Sequence, residues 1–252
     1  MLVLLPPSET KHPGGRGRPL DLDRLALPGL SPERDRVIDA LVTLAADEDA
    51  SARVLKLSDR QRGDIAHNAA LRTAPTMPAV DRYTGVLFDA LDAASLDAAA
   101  RRWLGAHVLI HSAPFGPVGA LDPIPAYRLG AGTSLPGIPA LKRLWSGAVT
   151  AALGSGAARF VLDLRSEAYA ALGPVPAGAH SVFLRVVTAG EDGTTRALNH
   201  FNKHAKGALV RRLATERPRI GGIPALRAWA AASGLDLRDS ATQKPGELDL
   251  VV

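Results

Sequence analysis

The sequence contains no cysteine. Disulfide staples, thiol catalysis and cysteine-ligated metals are excluded, and the chain is expected in a reducing cytoplasm. Aromatic residues make up only 4% of the 252 positions. The core must therefore be aliphatic and alanine-rich, and a surface of stacked rings for nucleic-acid bases has little to draw on. No run approaches the roughly 18 apolar residues of a membrane span. The apolar stretch Leu2 to Leu5 lacks a basic leader and is too short for a signal peptide. Lysine is scarce too: six of the thirty basic residues are Lys and twenty-four are Arg.

What is present is ordinary for a globular chain: 46% hydrophobic and 22% charged residues, with a net charge of +5. The basic excess permits nucleic-acid binding without showing it, because the arginines are spread along the chain. No linker composition divides the sequence, so one domain over 1–252 is expected.

Leu2 to Leu5, closed by Pro6-Pro7, reads as a strand buried on both faces, in a sheet covered by helices. Ser8-Glu9-Thr10-Lys11 follows it, placing polar groups at the carboxyl end of a core strand, where open α/β sheets bind ligands. Ser8 and Lys11 also have the Ser-x-x-Lys spacing of a serine nucleophile with a lysine base, but its companion motifs are absent. Residues 12–30 read as a loop. Ser31-Pro32-Glu33, Ser58 and Ser95 are candidate helix starts. His107 to His111 is predicted as a strand with both imidazoles on one face and no third metal ligand nearby. Residues 112–128 read as a long, Pro-stiffened loop ending in Tyr127-Arg128. The Leu135-Pro-Gly-Ile-Pro139 turn before a helix has the look of the hairpin in helix-hairpin-helix DNA binders. Phe160 to Leu164 is another core strand, delivering Arg165-Ser166. Ser181 to Thr188 and Thr194 to Leu198 form a hairpin around Glu191-Asp192-Gly193. Leu248 to Val252 is read as a last, edge strand.

The hairpin delivers Asn199-His-Phe-Asn-Lys-His-Ala-Lys-Gly207, the opening of a helix. Phe201, Ala205, Leu209 and Leu213 recur every four residues as its buried stripe, which sets His200, Lys203 and Lys206 on a neighbouring face. A helix start already favours an anion, and two of the six lysines sit here beside Asn202 and two histidines. His200 and His204 are one turn apart, yet no carboxylate pairs with them, so no metal site is assigned.

Read together, several motifs carry a resemblance. They are Leu4-Leu-Pro-Pro-Ser-Glu-x-Lys11, Tyr83-Thr84-Gly85, Ile124-Pro-Ala-Tyr-Arg-Leu129, Asp163-Leu-Arg-Ser166-x-x-Tyr169 and His200-Phe-Asn-Lys-x-x-Lys-Gly207. In this order the chain resembles the YaaA (UPF0246, DUF328) family over nearly its whole length. The resemblance implies a single compact α/β domain with a mixed central sheet flanked by helices and a helix-hairpin-helix-like element. It also implies a cytoplasmic protein of the peroxide stress response that limits iron-driven damage, with a basic cleft and DNA as partner. Matched positions place Ser8, Glu9, Lys11, Tyr127, Arg128, Arg165, Ser166, His200, Asn202, Lys203 and Lys206 in the cleft. Where the family is similar to Trp-Gly-x-x-Arg-Pro-x-Asp, this chain has Phe115-Gly-Pro-Val-Gly-Ala-Leu-Asp122, with Gly119-Ala120 replacing the Arg-Pro pair.

Two functions are expected of such a cleft. In the first, Lys11, Arg128, Arg165, Lys203 and Lys206 neutralise phosphates of single-stranded, bubble or duplex DNA, and Tyr83 and Tyr127 stack on bases. In the second, the cleft is an enzyme site for a small anionic or nucleotide-like molecule. Glu9 with Lys11 or Lys203 would then be the acid–base pair, or Lys203 a nucleophilic amine. No cofactor and no membrane partner are expected.

Overall fold

The computed structural model describes residues 1–155, 159–189, 195–197 and 199–252, without the side chains of 189, 195–197 and 199–201. Its strands are β1 (Leu2–Leu5), β2 (Met77–Pro78), β3 (Val108–Ser112), β4 (Gly116–Gly119), β5 (Pro123–Ile124), β6 (Val161–Asp163), β7 (Ser181–Ala189), β8 (Thr195–Ala197), β9 (Asp236–Asp239) and β10 (Glu247–Val251). The main sheet has the order β4-β3-β1-β6-β7-β10-β9, with β8 hydrogen-bonded to β7. Pairs β3–β1, β1–β6, β6–β7 and β7–β10 are parallel; β4, β8 and β9 are antiparallel to their neighbours. The fold is thus mixed α/β, as read from the sequence.

The apolar run at 2–5 explains the central place of β1. Val3 and Leu5 face the main core, whereas Leu4 packs with Leu109 and Val161 on the other face. A strand buried on both sides has no polar face to alternate with. From β1 the chain goes to β3 on one side and later returns to β6 on the other. The carboxyl end of β1 therefore lies at the point where the winding reverses, the crevice that open α/β sheets offer to ligands.

Helices α1 (Ser31–Ala45), α2 (Glu48–Leu55), α3 (Ile65–Ala69), α4 (Ala79–Arg82), α5 (Val86–Leu91), α6 (Ala98–His107), α7 (Leu141–Gly154), α8 (Glu167–Leu172), α9 (Asn199–Glu216) and α10 (Ile223–Ala232) fill the connections. α5 and α9 pack tightly because Gly207 has no side chain: a Cβ there would collide with the Leu87 carbonyl oxygen.

Several expectations are corrected in detail. His107 closes α6, its ring stacked 4.4 Å from Trp103, while only His111 lies in β3; the two imidazoles do not share a strand face. The loop 112–128 contains β4, antiparallel to β3. Asp97, not Ser95, caps α6, accepting from the Ala100 N–H at 2.7 Å. Ser58 does act in a cap, its capping box with Gln61 opening the 3-10 turn Asp59–Asp64. The chain from 125 to 140 holds no helix, so the 135–139 turn joins no helix-hairpin-helix; α7 starts at Leu141. The terminal strand β10 is interior, with β9 outside it. The hairpin of β7 and β8 is present, and its turn at 191–193 lies outside the described residues.

Among the described residues three arginines are fully buried: Arg34, Arg82 and Arg165. Arg34 donates to the carbonyls of Ala26, Leu27, Phe115 and Pro117. Arg82 donates to those of His12, Pro75 and Ile124. A guanidinium with five N–H groups can fasten several loop carbonyls at once. Burial draws the Arg34 pKa down to about 10, against the pull of Asp122 and Glu33. Arg82 pins the segment after Lys11 to the loop before β2 and to the end of β5.

Candidate functional site

Pro6-Pro7 ends β1, and the chain then pairs with the segment before α5. Lys11 forms a backbone bridge to Tyr83, the Thr84 N–H donates to Thr10 O at 3.1 Å, and the His12 N–H donates to Arg82 O at 2.8 Å. Gly85 adopts φ +92°, and a Cβ there would lie 3.3–3.4 Å from the hydroxyls of Thr10 and Ser8. The Tyr83-Thr84-Gly85 motif is thus the seat for Ser8 to Lys11.

The Lys11 ammonium turns back over its own loop. It donates to Ser8 O at 3.0 Å and Glu9 O at 3.1 Å, and stands 4.0 Å from the Tyr127 ring centroid and 5.5 Å from that of Tyr83. Burial, with Arg128 and Arg82 adding like charge against Asp64 and Glu9, lowers its pKa from the usual 10.5 to about 7. The aromatic faces oppose this by favouring the cation. Lys11 is therefore poised to exchange a proton near neutrality.

Tyr83 and Tyr127 are buried, and their hydroxyls share a 2.8 Å hydrogen bond. Tyr83 stacks on Phe88 and Tyr127 meets Phe115 edge-on, at 5.1 and 5.4 Å between centroids. Tyr169 lies near enough to interact electrostatically with both, so the three tyrosines of the chain converge. Burial raises the pKa of each phenol. They are neutral donors packed into the wall, and the rings of Tyr83 and Tyr127 have no free face on which a base could stack.

Arg128 is a half-buried cation of the site. Its backbone is held from both sides by the buried Asn68, whose amide donates to Arg128 O at 2.9 Å and accepts from Arg128 N at 2.8 Å. Its guanidinium stands 3.8 Å from the exposed Glu9 and 4.0 Å from Asp64. Glu9, Lys11, Lys56 and Arg128, with Leu55, Leu129, Gly130 and Thr133, line a cavity of about 230 Å³. Lys56 faces it from the end of α2, where the left-handed conformation (φ 53°) stops the helix.

Arg165 is different. Asp163 takes its Nε and Nη2 at 2.9 and 2.6 Å, and Nη1 donates to His111 Nδ1 at 2.9 Å and to Gly173 O at 2.8 Å. A guanidinium so enclosed contacts no phosphate; it is a brace under the site. His111, buried beside this cation, has its pKa driven well below its usual range. Accepting at Nδ1, the neutral ring carries its proton on Nε2, which has no partner among the described residues.

Lys206 also turns inward. With Leu209, Val210, Leu213 and Ala214 it forms the i, i+3, i+4, i+7, i+8 stripe by which α9 packs; this keeps Leu209 and Leu213 of the expected stripe and adds Lys206, Val210 and Ala214. Its ammonium lies 6.0 Å from the Phe183 ring, and burial lowers its pKa to about 8 against the pull of Asp163. Lys203 and Ser166 are exposed and Asn202 is half-buried; the side chain of His200 lies outside the described residues.

The structure thus brings Ser8, Tyr83 and Tyr127 against Lys11, lines the pocket with Glu9, Lys11 and Arg128, and sets Arg165 and Lys206 in a buried layer joined through Asp163. Sequence reading missed Lys56, Asp64, Asn68, His111, Asp163 and Tyr169. Only the local Asp163-x-Arg165 spacing and the motif position of Tyr169 gave a usable signal; the others arrive from elements distant in sequence.

Comparison with known proteins agrees. A family model described as peroxide stress protein YaaA matches residues 1–239. A UPF0246 protein of Corynebacterium efficiens is 48% identical over 219 residues, 85% of either chain. One from Corynebacterium glutamicum is 42% identical over all of both chains. One from Streptomyces coelicolor is 47% identical over 218 residues, 84% of this chain and 82% of its own. The chain belongs to the YaaA (UPF0246) family of peroxide stress proteins.

Proposed function

We propose that the pocket at the carboxyl end of β1 binds a small anionic molecule and that Lys11 exchanges a proton with it. One observation carries this reading: an amine held near a pKa of about 7 shares a cavity of about 230 Å³ with Arg128 and Lys56. Such a volume is below the roughly 300–1,000 Å³ of drug-sized sites and suits a molecule of a few heavy atoms with one anionic group. Arg128 binds the anion, with Glu9 and Asp64 fixing its guanidinium. The neutral phenol of Tyr127 supplies the ring on which the Lys11 ammonium rests. The acid–base role expected of Lys203 passes to Lys11, because Lys203 is exposed and Lys11 is enclosed.

The test is calorimetric titration with inorganic phosphate and with oxalate. Arg128→Ala should weaken binding about 10-fold or more, since a hydrogen bond to a charged group contributes about 1.5–3 kcal/mol. Equal affinity in wild type and variant overturns the reading.

DNA binding in the peroxide stress response is the second reading. It is supported by the net charge of +5 together with the exposed Lys203 on α9. It predicts binding of labelled single-stranded, duplex and bubble DNA that falls steeply with salt. Lys203→Ala should lower the slope by about one. Salt-insensitive binding, or none, removes it.

A further inference from the structure

The pocket contains a group that acid–base chemistry alone does not use in full. Lys11 Nζ donates to two fixed carbonyls, Ser8 O at 3.0 Å and Glu9 O at 3.1 Å. A neutral amine has two N–H groups and one lone pair. Those two carbonyls accept both N–H groups, which leaves the lone pair as the remaining valence of the nitrogen. Among the described residues, no carboxylate lies within ion-pair distance of Lys11 to hold it as a cation; the ion pairs at the pocket belong to Arg128. Lys11 lines the cavity together with Arg128 and Lys56, so an anion held by those two sets the rest of a small molecule against the amine.

We propose that Lys11 is a nucleophile that condenses with a small carbonyl compound bearing an anionic group, the anion lying between Arg128 and Lys56. The nitrogen lone pair attacks the carbonyl carbon and the carbonyl oxygen takes a proton. The carbinolamine then loses its hydroxyl as water, with the second N–H proton, and a C=N bond remains. Every atom is accounted for by amine, carbonyl and water, and no oxidant or reductant enters. The depressed pKa of Lys11 keeps much of the amine neutral at pH 7, which this attack needs. Lys206, although also lowered, to about 8, lies in the packed face of α9 outside the cavity and is the internal control.

The inference rests on the anion-pocket reading, and its test separates the two. The intact protein is incubated at pH 7 with pyruvate, with glycolaldehyde phosphate or with acetaldehyde, in the presence of cyanoborohydride, and labelled peptides are mapped by mass spectrometry. The two anionic probes distinguish a carboxylate from a phosphate, and acetaldehyde lacks the anchor. At least one anionic probe should label Lys11 about 10-fold or more above each of the other five lysines. Excess phosphate should suppress that label, acetaldehyde should show no such preference, and Lys11→Arg should abolish it. Labelling spread evenly over the lysines, or concentrated on Lys206, overturns the proposal. If phosphate still binds in an Arg128-dependent way while Lys11 stays unlabelled, the imine chemistry falls and the pocket stands. If neither is seen, both fall.

Discussion

The two ends of the parallel strands differ in kind. At the amino ends of β1, β3 and β6 lies the larger cavity, about 640 Å³, lined by Leu2, Leu27, Val108, Leu109, Leu153 and Val161 among others, with Arg159 and His180 as its ionisable side chains. At the carboxyl ends lies a space about a third as large by volume, about 230 Å³, carrying three cations and a carboxylate. Volume and chemistry part company here. The larger space exists because one sheet face is covered only by a small apolar cluster around Leu4, Leu109 and Val161. The smaller one is lined by polar side chains, with Lys11 enclosed and Arg128 paired with Glu9 and Asp64.

The sharpest way to break this contrast is to remove the brace. Arg165→Ala leaves Asp163 buried without its partner and should cost about 3–5 kcal/mol in urea unfolding. Arg159→Ala, at the apolar cavity, should stay within about 0.5 kcal/mol. Equal effects would mean that the two ends are built alike.

Lys11→Met tests whether the carboxyl end carries a stored electrostatic cost. The folded pKa of about 7 lies below the ordinary 10.5, so between these values the unfolded chain holds a proton that the folded chain does not. The cost of carrying Lys11 is absent above pH 10.5, grows as pH falls, and is complete below about 7. Set against the lost carbonyl bonds and ring contact, the substitution should stabilise the protein by about 1–3 kcal/mol at pH 7. That gain should vanish by pH 10.5; a pH-independent effect in parallel melts would contradict it.

Filling the apolar end is the mildest change. Ala152→Leu adds a branched side chain to the wall of the larger cavity and should raise stability by about 0.5–1 kcal/mol, with phosphate affinity at the other end unchanged.

The sequence made the frame of the molecule readable where apolar pattern and position coincide. Leu2 to Leu5 could only be a doubly buried strand, and Phe160 to Leu164 announced β6. β4 was not readable, because Gly116-Pro-Val-Gly119 has loop composition and becomes a strand through pairing with β3 and through Arg34 clamping the carbonyls of Phe115 and Pro117. In the site, Ser8 to Lys11 and Tyr127-Arg128 were legible as polar groups at a core-strand end and at the close of a stiff loop. Arg165 was misread in role, since a cation after a strand looks ligand-facing until its near neighbour Asp163 is seen to enclose it. Lys206 was set on a face beside the stripe of Leu209 and Leu213, yet it shares their buried face, because α9 packs against α5 where Gly207 meets Leu87. The tyrosine cluster depends on contacts across the fold that no local pattern encodes.

The central place of β1 has a consequence for how the molecule assembles. Its partners are Val108 to Ile110 and Val161 to Asp163, so the first strand can pair only after a segment of about 100 residues has been looped back, at an entropic cost that local contacts do not offset. Folding should accordingly be slow for a chain with so much helix, with hydrogen-exchange protection at Val3 and Leu4 arriving late. The pocket that hangs from the end of β1 would then come into being with the last cooperative step, so that only the finished fold exposes a reactive amine.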